Sequence, residues 1–505
     1  MAARLVSIIA ALTVVGLVIG PVTAVVLRAE AFSGFTPADW QALRFTFVQA
    51  TLSALLSVVF AIPLARALAR RRFPGRGLLV ALLGAPFILP VIVAVLGLLA
   101  VFGQSGVLNR VLGPLGLPEV QIYGLHGVLL AHVFFNLPLA TRLILQGWLA
   151  VPAELFRLAA TLGLGRRTMW TVIELPLLMR IVPGAFAVIF VICLSSFAVA
   201  LTLGGGPRAT TLELAIYQSM RFDFDLARAA ALGMLQLGLA LGAGLIALKL
   251  TSVPVAARGL DRTVPRWDGA HAVSRVVDIF WILCASAFLL TPLAMVTSNG
   301  IAGLNQLGGS VWQAAGHSVS VALGSTALCL LWALPLTTRW GEWLGLAGIA
   351  LSPLVLGIGL FLIVRPFANP FELALYVTAT VNAFVSLPFV LRILRPEAEA
   401  IRADYARLRG ALGLSVWSWL RWVFLPRLKR PLGFAAGLTA ALSMGDLGVI
   451  TLFADPDRAT LPLKVFQLMG AYRMEQAAGA ALLLLILSLG LFWAFDRGGR
   501  VGTAS

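Results

Sequence analysis

Apolar runs of about 20 residues, the length a helix needs to cross the hydrocarbon core of a bilayer, recur along the whole chain with short polar stretches between them. In the first half they read as helical spans over Val6–Leu27, Phe45–Ala65, Leu78–Val101, Leu125–Leu149, Ile181–Leu203 and Ala227–Leu248. In the second half they fall near 277–297, 314–337, 343–364, 371–393, 431–453 and 476–495. The first run is longer than the ~7–15 residues of a signal-peptide core and reads as a retained span. Pro86 and Pro90 sit inside the third run; spans tolerate such breakers where neighbouring helices satisfy the freed carbonyls. The pattern predicts an all-α polytopic membrane protein of about 12 spans.

Two polar, basic stretches interrupt this pattern at one constant offset of 250 residues. Arg157–Pro176, RLAATLGLGRRTMWTVIELP, corresponds to Arg407–Pro426, RLRGALGLSVWSWLRWVFLP. Leu162 and Gly163 fall on Leu412 and Gly413, Ile173 on Val423, and Leu175 and Pro176 on Leu425 and Pro426. Each reads as a short amphipathic helix, a glycine turn, and a second short helix that closes before Leu-Pro. The repeat extends further. Phe134, Leu137, Pro138 and Arg142 match Phe384, Leu387, Pro388 and Arg392, and Arg208, Ala209 and Thr210 lie opposite Arg458, Ala459 and Thr460. The chain therefore divides into two halves, 1–250 and 277–505, joined by a polar linker over 251–276 that carries Pro254, Arg258, Arg262, Pro265 and Arg266. Six spans per half is an even number, so the halves enter in the same orientation and form a parallel repeat, unlike the inverted repeats of many ion-coupled carriers.

Composition sharpens the class. With 60% hydrophobic and 12% charged residues among 505, the chain lies outside the range of soluble domains. The net charge of +17 is distributed over short loops without a basic arm, which fits positive-inside topology better than nucleic acid. Alternating sides places 66–76, both polar repeats, the linker, Arg497 and Arg500 on one face, the cytoplasmic one, with both termini. Cys193, Cys284 and Cys329 lie in apolar runs without ligand spacing and read as small buried residues.

Few residues offer chemistry. No Gly-Lys-Ser/Thr phosphate cradle is present, so the chain is not read as an enzyme and ATP hydrolysis belongs elsewhere. Asp446 reads as an ionisable group well inside the eleventh span, a costly position that marks it as a functional candidate or as a helix-tying hydrogen-bond partner. By the repeat its counterpart is Ser196, flanked by Ser195 and Phe197. With Asn136, Ser386 and Ser443 these form the candidate substrate path. Phe134, Phe135, Phe197 and Phe384 are aromatic faces for a cationic ring or plain core residues. His126 and His132, six apart, lie on different faces of one helix and read as packing or hydrogen-bonding groups, not a metal pair.

The Gly, Ile/Val and Leu-Pro spacing resembles the EAA loop of ATP-binding-cassette (ABC) importer permeases. That pattern is Glu-Ala-Ala, three residues, Gly, nine residues, Ile, one residue, Leu-Pro. The Glu-Ala-Ala positions depart from it, holding Arg157, Leu158, Ala159 and Arg407, Leu408, Arg409. The resemblance implies that Ala159, Leu162, Gly163, Ile173, Leu175, Pro176, Leu412, Gly413, Val423, Leu425 and Pro426 form two loops that couple to an ATPase. The whole chain is similar to fused type I (MetI-like) ABC importer permeases of the thiamine and ferric iron branch. ALSMGDLGVITLFADPDRATLPLKVFQLMGAYRMEQAAGAALLLL carries the resemblance best, through its Gly-Asp-x-Gly, Arg-x-Thr-Leu-Pro and Met-Gly-x-Tyr-Arg steps. It implies import of thiamine and its phosphates through the inner membrane, a periplasmic thiamine-binding protein as donor, and two copies of a cytoplasmic ATPase that consume ATP and Mg. No cofactor is expected in this chain. The alternatives are the same machine for ferric iron or a polyamine, and an ion-driven secondary carrier.

Overall fold

In a computed structural model the described residues are 2–30, 32, 34–84, 88–206, 209–250, 271–338, 341, 351–453 and 455–500. Pro86, Arg208 and most of the expected linker, 251–270, lie outside them. All regular structure among the described residues is helical. The first half contains α1 (Ala2–Ala29), α2 (Pro37–Arg70), α3 (Arg76–Leu82), α4 (Val91–Phe102), α5 (Val107–Leu112), α6 (Leu125–Ala150), α7 (Ala153–Thr161), α8 (Arg166–Met169), α9 (Leu175–Leu194), α10 (Phe197–Leu203), α11 (Leu212–Arg221) and α12 (Leu226–Leu250). The second contains α13 (Ala272–Gly303), α14 (Gly309–Ala333), α15 (Pro353–Val364), α16 (Ala374–Asp404), α17 (Ala406–Ala411), α18 (Val416–Trp419), α19 (Leu425–Met444), α20 (Gly448–Leu452), α21 (Leu461–Gly470) and α22 (Met474–Arg500).

Eleven helical stretches among the described residues are long and apolar enough to cross a membrane. Several expected spans are not continuous helices. The third is split into α3 and α4, with Pro90 as the residue before α4. Of the ninth, the described part is the 12-residue helix α15, too short to span. The fifth breaks at Ser195 and Ser196, between α9 and α10. The eleventh breaks between Met444 and Gly448, so Asp446 sits in a helix gap and not within a helix. The stretches that follow the fifth and eleventh expected spans each fold into a short helix, α11 and α21. Cys193 and Cys329 are buried, whereas Cys284 is exposed on α13, a helix with mostly outward-facing side chains.

The halves interlock through their first helices. α1 packs on α15 and α12, and α13 packs on α4, α2 and α22. Small residues permit the approach: a Cβ at Gly359 would stand 2.5 Å from the Pro21 backbone, and one at Gly97 2.6 Å from the Pro292 carbonyl oxygen. Near the start of α13, buried Asp278 binds Arg70 Nη2 at 2.6 Å and Arg71 Nε at 2.7 Å, joining it to the end of α2. At the opposite face Asp39, at the start of α2, holds Arg228 at 2.8 Å. That face also carries the end of α13, where the Gly303 and Gly479 backbones meet and Gln306 donates to Glu475 at 2.5 Å.

Candidate functional site: two glycine elbows and a cavity between the halves

The polar repeats form two elbows of the same design. In the first, Leu164 N–H donates to the Ala159 carbonyl at 3.0 Å around Gly163, whose φ is +62°. In the second, Leu414 N–H donates to the Arg409 carbonyl at 3.2 Å around Gly413, φ +56°. Glycine is required because this helix-ending turn needs the left-handed region. The residue before each glycine is apolar yet open to the surroundings, Leu162 at 65% and Leu412 at 63% exposure. Ala159 is buried with Ala153, Phe156 and Met169 in a small core of its own, against which Leu164 and Ile173 pack. The second elbow is held differently: the Arg409 guanidinium lies 5.4 Å from the Trp419 ring, and Arg427 lies 4.1 Å from that of Tyr405. Val423 is buried, while Leu175, Pro176, Leu425 and Pro426 are exposed.

The second helix of each elbow does not close before Leu-Pro, as its sequence suggests. It continues through a π-helical turn, Trp170–Glu174 or Leu420–Phe424, into α9 or α19. Pro176 and Pro426 are the second residues of those helices. The wider turn supplies the slack that proline's missing N–H and its ring demand. Each elbow thus heads a single rod. Arg166–Leu194 covers 29 residues, roughly 43 Å at 1.5 Å per residue. Buried Glu174 anchors the first rod to Arg66 of α2 at 2.6 Å, with Arg66 also 5.2 Å from the Trp170 ring.

The far ends of the rods open into one cavity of about 370 Å³, within the usual range for a small-molecule site. Its wall is built largely from chain breaks: Leu89–Val91, Ser195–Val199, Pro353–Leu354 and Gly445–Gly448. Irregular backbone at membrane depth is tolerated where it faces a cavity. Asn136, Ser195, Ser196, Phe197, Ser386, Ser443 and Asp446 all line it, together with Phe135. Of the other candidate aromatics, Phe134 and Phe384 are buried in the core.

The two halves make matching contacts here with different chemistry. In the first, His132 accepts from or donates to Ser53 Oγ through Nδ1 (3.0 Å) and Ser196 Oγ through Nε2 (2.7 Å). At the equivalent place Asn382 donates to Ser443 Oγ at 3.2 Å and faces the Asp446 carboxylate. Asp446 Oδ1 accepts from the N–H of Gly448, the first residue of α20, at 3.1 Å, while Oδ2 is buried without a hydrogen-bond partner among the described residues. Asn136 donates to the His132 carbonyl at 2.9 Å, and Ser443 shares a 2.9 Å hydrogen bond with Ser325.

His132 is the hydrogen-bonding group its sequence suggested, whereas two polar lining groups, Asn382 and Glu213, escaped the sequence reading. Glu213 is buried at the start of α11, where Gln236 donates to it at 3.3 Å and Ser352 of the other half lies beside it. Its signal was a lone acid between Leu212 and Leu214, just beyond the fifth expected span. All described cavity-lining residues are apolar, neutral polar, histidine or acidic; none is Lys or Arg.

No protein-family model matches the chain. Relatives named "Thiamine transport system permease protein ThiP" match most of the chain. That from Brucella abortus (strain 2308) is 40% identical over 485 residues, 93% of this chain and 89% of its own length. The Escherichia coli (strain K12) protein is 41% identical over 480 residues, 91% and 89% of the two chains. The Haemophilus influenzae protein is 36% identical over 476 residues, 90% and 87%.

Proposed function

This chain belongs to the thiamine transport system permease family, and on that premise we propose that it moves thiamine across the inner membrane as the permease subunit of an ABC importer. Asp446 carries the proposal. Its buried Oδ2 has no charged partner among the described residues, in a cavity whose described wall lacks basic residues. Such an oxygen is costly unless a cation or donor reaches it, and the thiazolium of thiamine is a permanent cation. Phe197 and Phe135 add aromatic faces to the same wall.

Two copies of a cytoplasmic ATPase would seat on the Leu162–Gly163 and Leu412–Gly413 elbows and supply the ATP- and Mg-dependent step. Their closure would move the two rods together. Because the rods end at Ser195 and Gly445, that motion would reshape the cavity wall and alternate its access. The elbow face would then be cytoplasmic, with both termini on it. In support, Arg66, Arg70, Arg71, Arg157, Arg166, Arg167, Arg427 and Arg430 lie on or beside that face. A periplasmic thiamine-binding protein would deliver solute at the other face.

Reconstitution into proteoliposomes with the ATPase and the binding protein tests the reading. ATP-dependent accumulation of thiamine is expected. Uptake of ferric iron or a polyamine in place of thiamine would overturn the solute assignment, and uptake without the ATPase would overturn the mechanism.

A further inference from the structure

Among the described residues, two that are not glycine have positive φ: Phe224 at 52° and Tyr472 at 58°. Both are aromatic, and both stand two residues before the last helix of their half, Leu226 of α12 and Met474 of α22. They are also open to the surroundings, at 74% and 91% exposure. The left-handed region is unfavourable for a bulky side chain. Tyr472 occupies the place in a helix-ending turn, with Arg473 N–H donating to the Leu468 carbonyl at 2.9 Å, that glycine usually fills. Phe224 lies in the corresponding turn, where Asp225 N–H donates to the Ser219 carbonyl at 2.9 Å. The turn itself does not ask for an aromatic ring, and packing within the chain does not repay one this exposed. A backbone held in a costly conformation in both halves points to a contact made outside the chain.

Position narrows that contact. Phe224 lies beside the Asp39–Arg228 pair at the start of α2, and Tyr472 beside Glu475 at the end of α13. Both therefore sit on the face opposite the glycine elbows, one on each half. Phe224 is also near a line of rings that reaches the cavity. Phe222 meets Tyr217 at 5.7 Å, and Tyr217 meets Phe197 of the cavity wall at 5.3 Å.

We propose that Phe224 and Tyr472 are paired docking knobs for the soluble solute-binding protein, which straddles both halves and receives one ring on each. The inference rests on the importer reading above and adds the residues that recognise the donor. The partner offers two apolar sockets. The exposed Arg473 beside one knob asks for an acidic edge on its socket, whereas Asp223 beside the other already pairs with Arg228 at 3.6 Å. Aromatic knobs in desolvated sockets are the usual carriers of interface affinity.

The test uses the full complex, with ATPase, in lipid nanodiscs and the purified thiamine-binding protein as titrant. Phe224→Gly and Tyr472→Gly place glycine where the backbone accepts it. The double variant is expected to need about tenfold more binding protein for half-maximal ATPase stimulation, to recover uptake at saturating donor, and to keep or raise its thermal midpoint. Tyr472→Phe and Phe224→Tyr should behave like the parent. Unchanged donor dependence overturns the proposal. So does a lowered thermal midpoint in lipid, which would instead make the rings membrane-interface anchors or packing groups. A parent complex that no binding protein stimulates would sink the importer reading itself, a result visible before any variant is made.

Discussion

Asp446 and Ser196 occupy the same place in the two repeats, and the difference between them sets the polarity of the cavity. Ser196 is engaged by His132, whereas Asp446 accepts from Gly448 N–H with one oxygen and has no charged partner for the other among the described residues. Asp446→Asn keeps an acceptor for Gly448 N–H but removes the charge. Thiamine uptake should fall at least tenfold, about 1.4 kcal/mol, with assembly unchanged on size-exclusion chromatography. Ser196→Ala removes one neutral hydrogen bond and should cost less, about 1 kcal/mol, read as a smaller loss in the same uptake assay. Asp446 was legible as a buried charge because an acid in an apolar run stands out. Asn382 and Glu213 were not, because what distinguishes them is the set of neighbours brought by other helices.

The elbows and rods are the mechanical elements. The spacing from glycine to Leu-Pro was plain in the sequence, but it suggested a helix end where the chain builds a π-turn and continues. Local propensity favours stopping before proline; a widened turn inside a packed bundle removes the conflict. Because Gly163 and Gly413 adopt left-handed backbone, valine at either would strain the elbow by about 1–2 kcal/mol and tilt the exposed leucine beside it. Gly163→Val or Gly413→Val should retain binding-protein docking while lowering uptake per ATP hydrolysed. The double variant should uncouple the complex, measured as ATPase activity with little transport. Full coupling in the double variant would contradict the seating of the ATPase on these elbows.

Across the whole protein, stability depends on each half lending its first helix to the other. The buried Asp278, with Arg70 and Arg71 both on its carboxylate, is the most polar part of that exchange. Asp278→Ala removes the buried acid that both arginines share and should destabilise the protein by about 3–5 kcal/mol. A markedly lower thermal midpoint and earlier loss of monodispersity in detergent would show it. A midpoint equal to that of the parent would mean that α13 is held by apolar packing alone.

Hydropathy and repetition reveal a duplicated helical permease, because crossing a bilayer demands long apolar helices and gene duplication leaves a constant offset. They also located both elbows, whose glycine, β-branched and Leu-Pro positions follow from backbone geometry that any chain must obey. The cavity belonged to the tertiary structure. Its wall is assembled from four helix breaks drawn from both halves, and whether an apolar run breaks depends on which neighbours can satisfy the freed backbone. The rings of Phe224 and Tyr472 show the same division: their identity is written in the chain, but the unfavourable backbone that holds them outward appears only once the turns close.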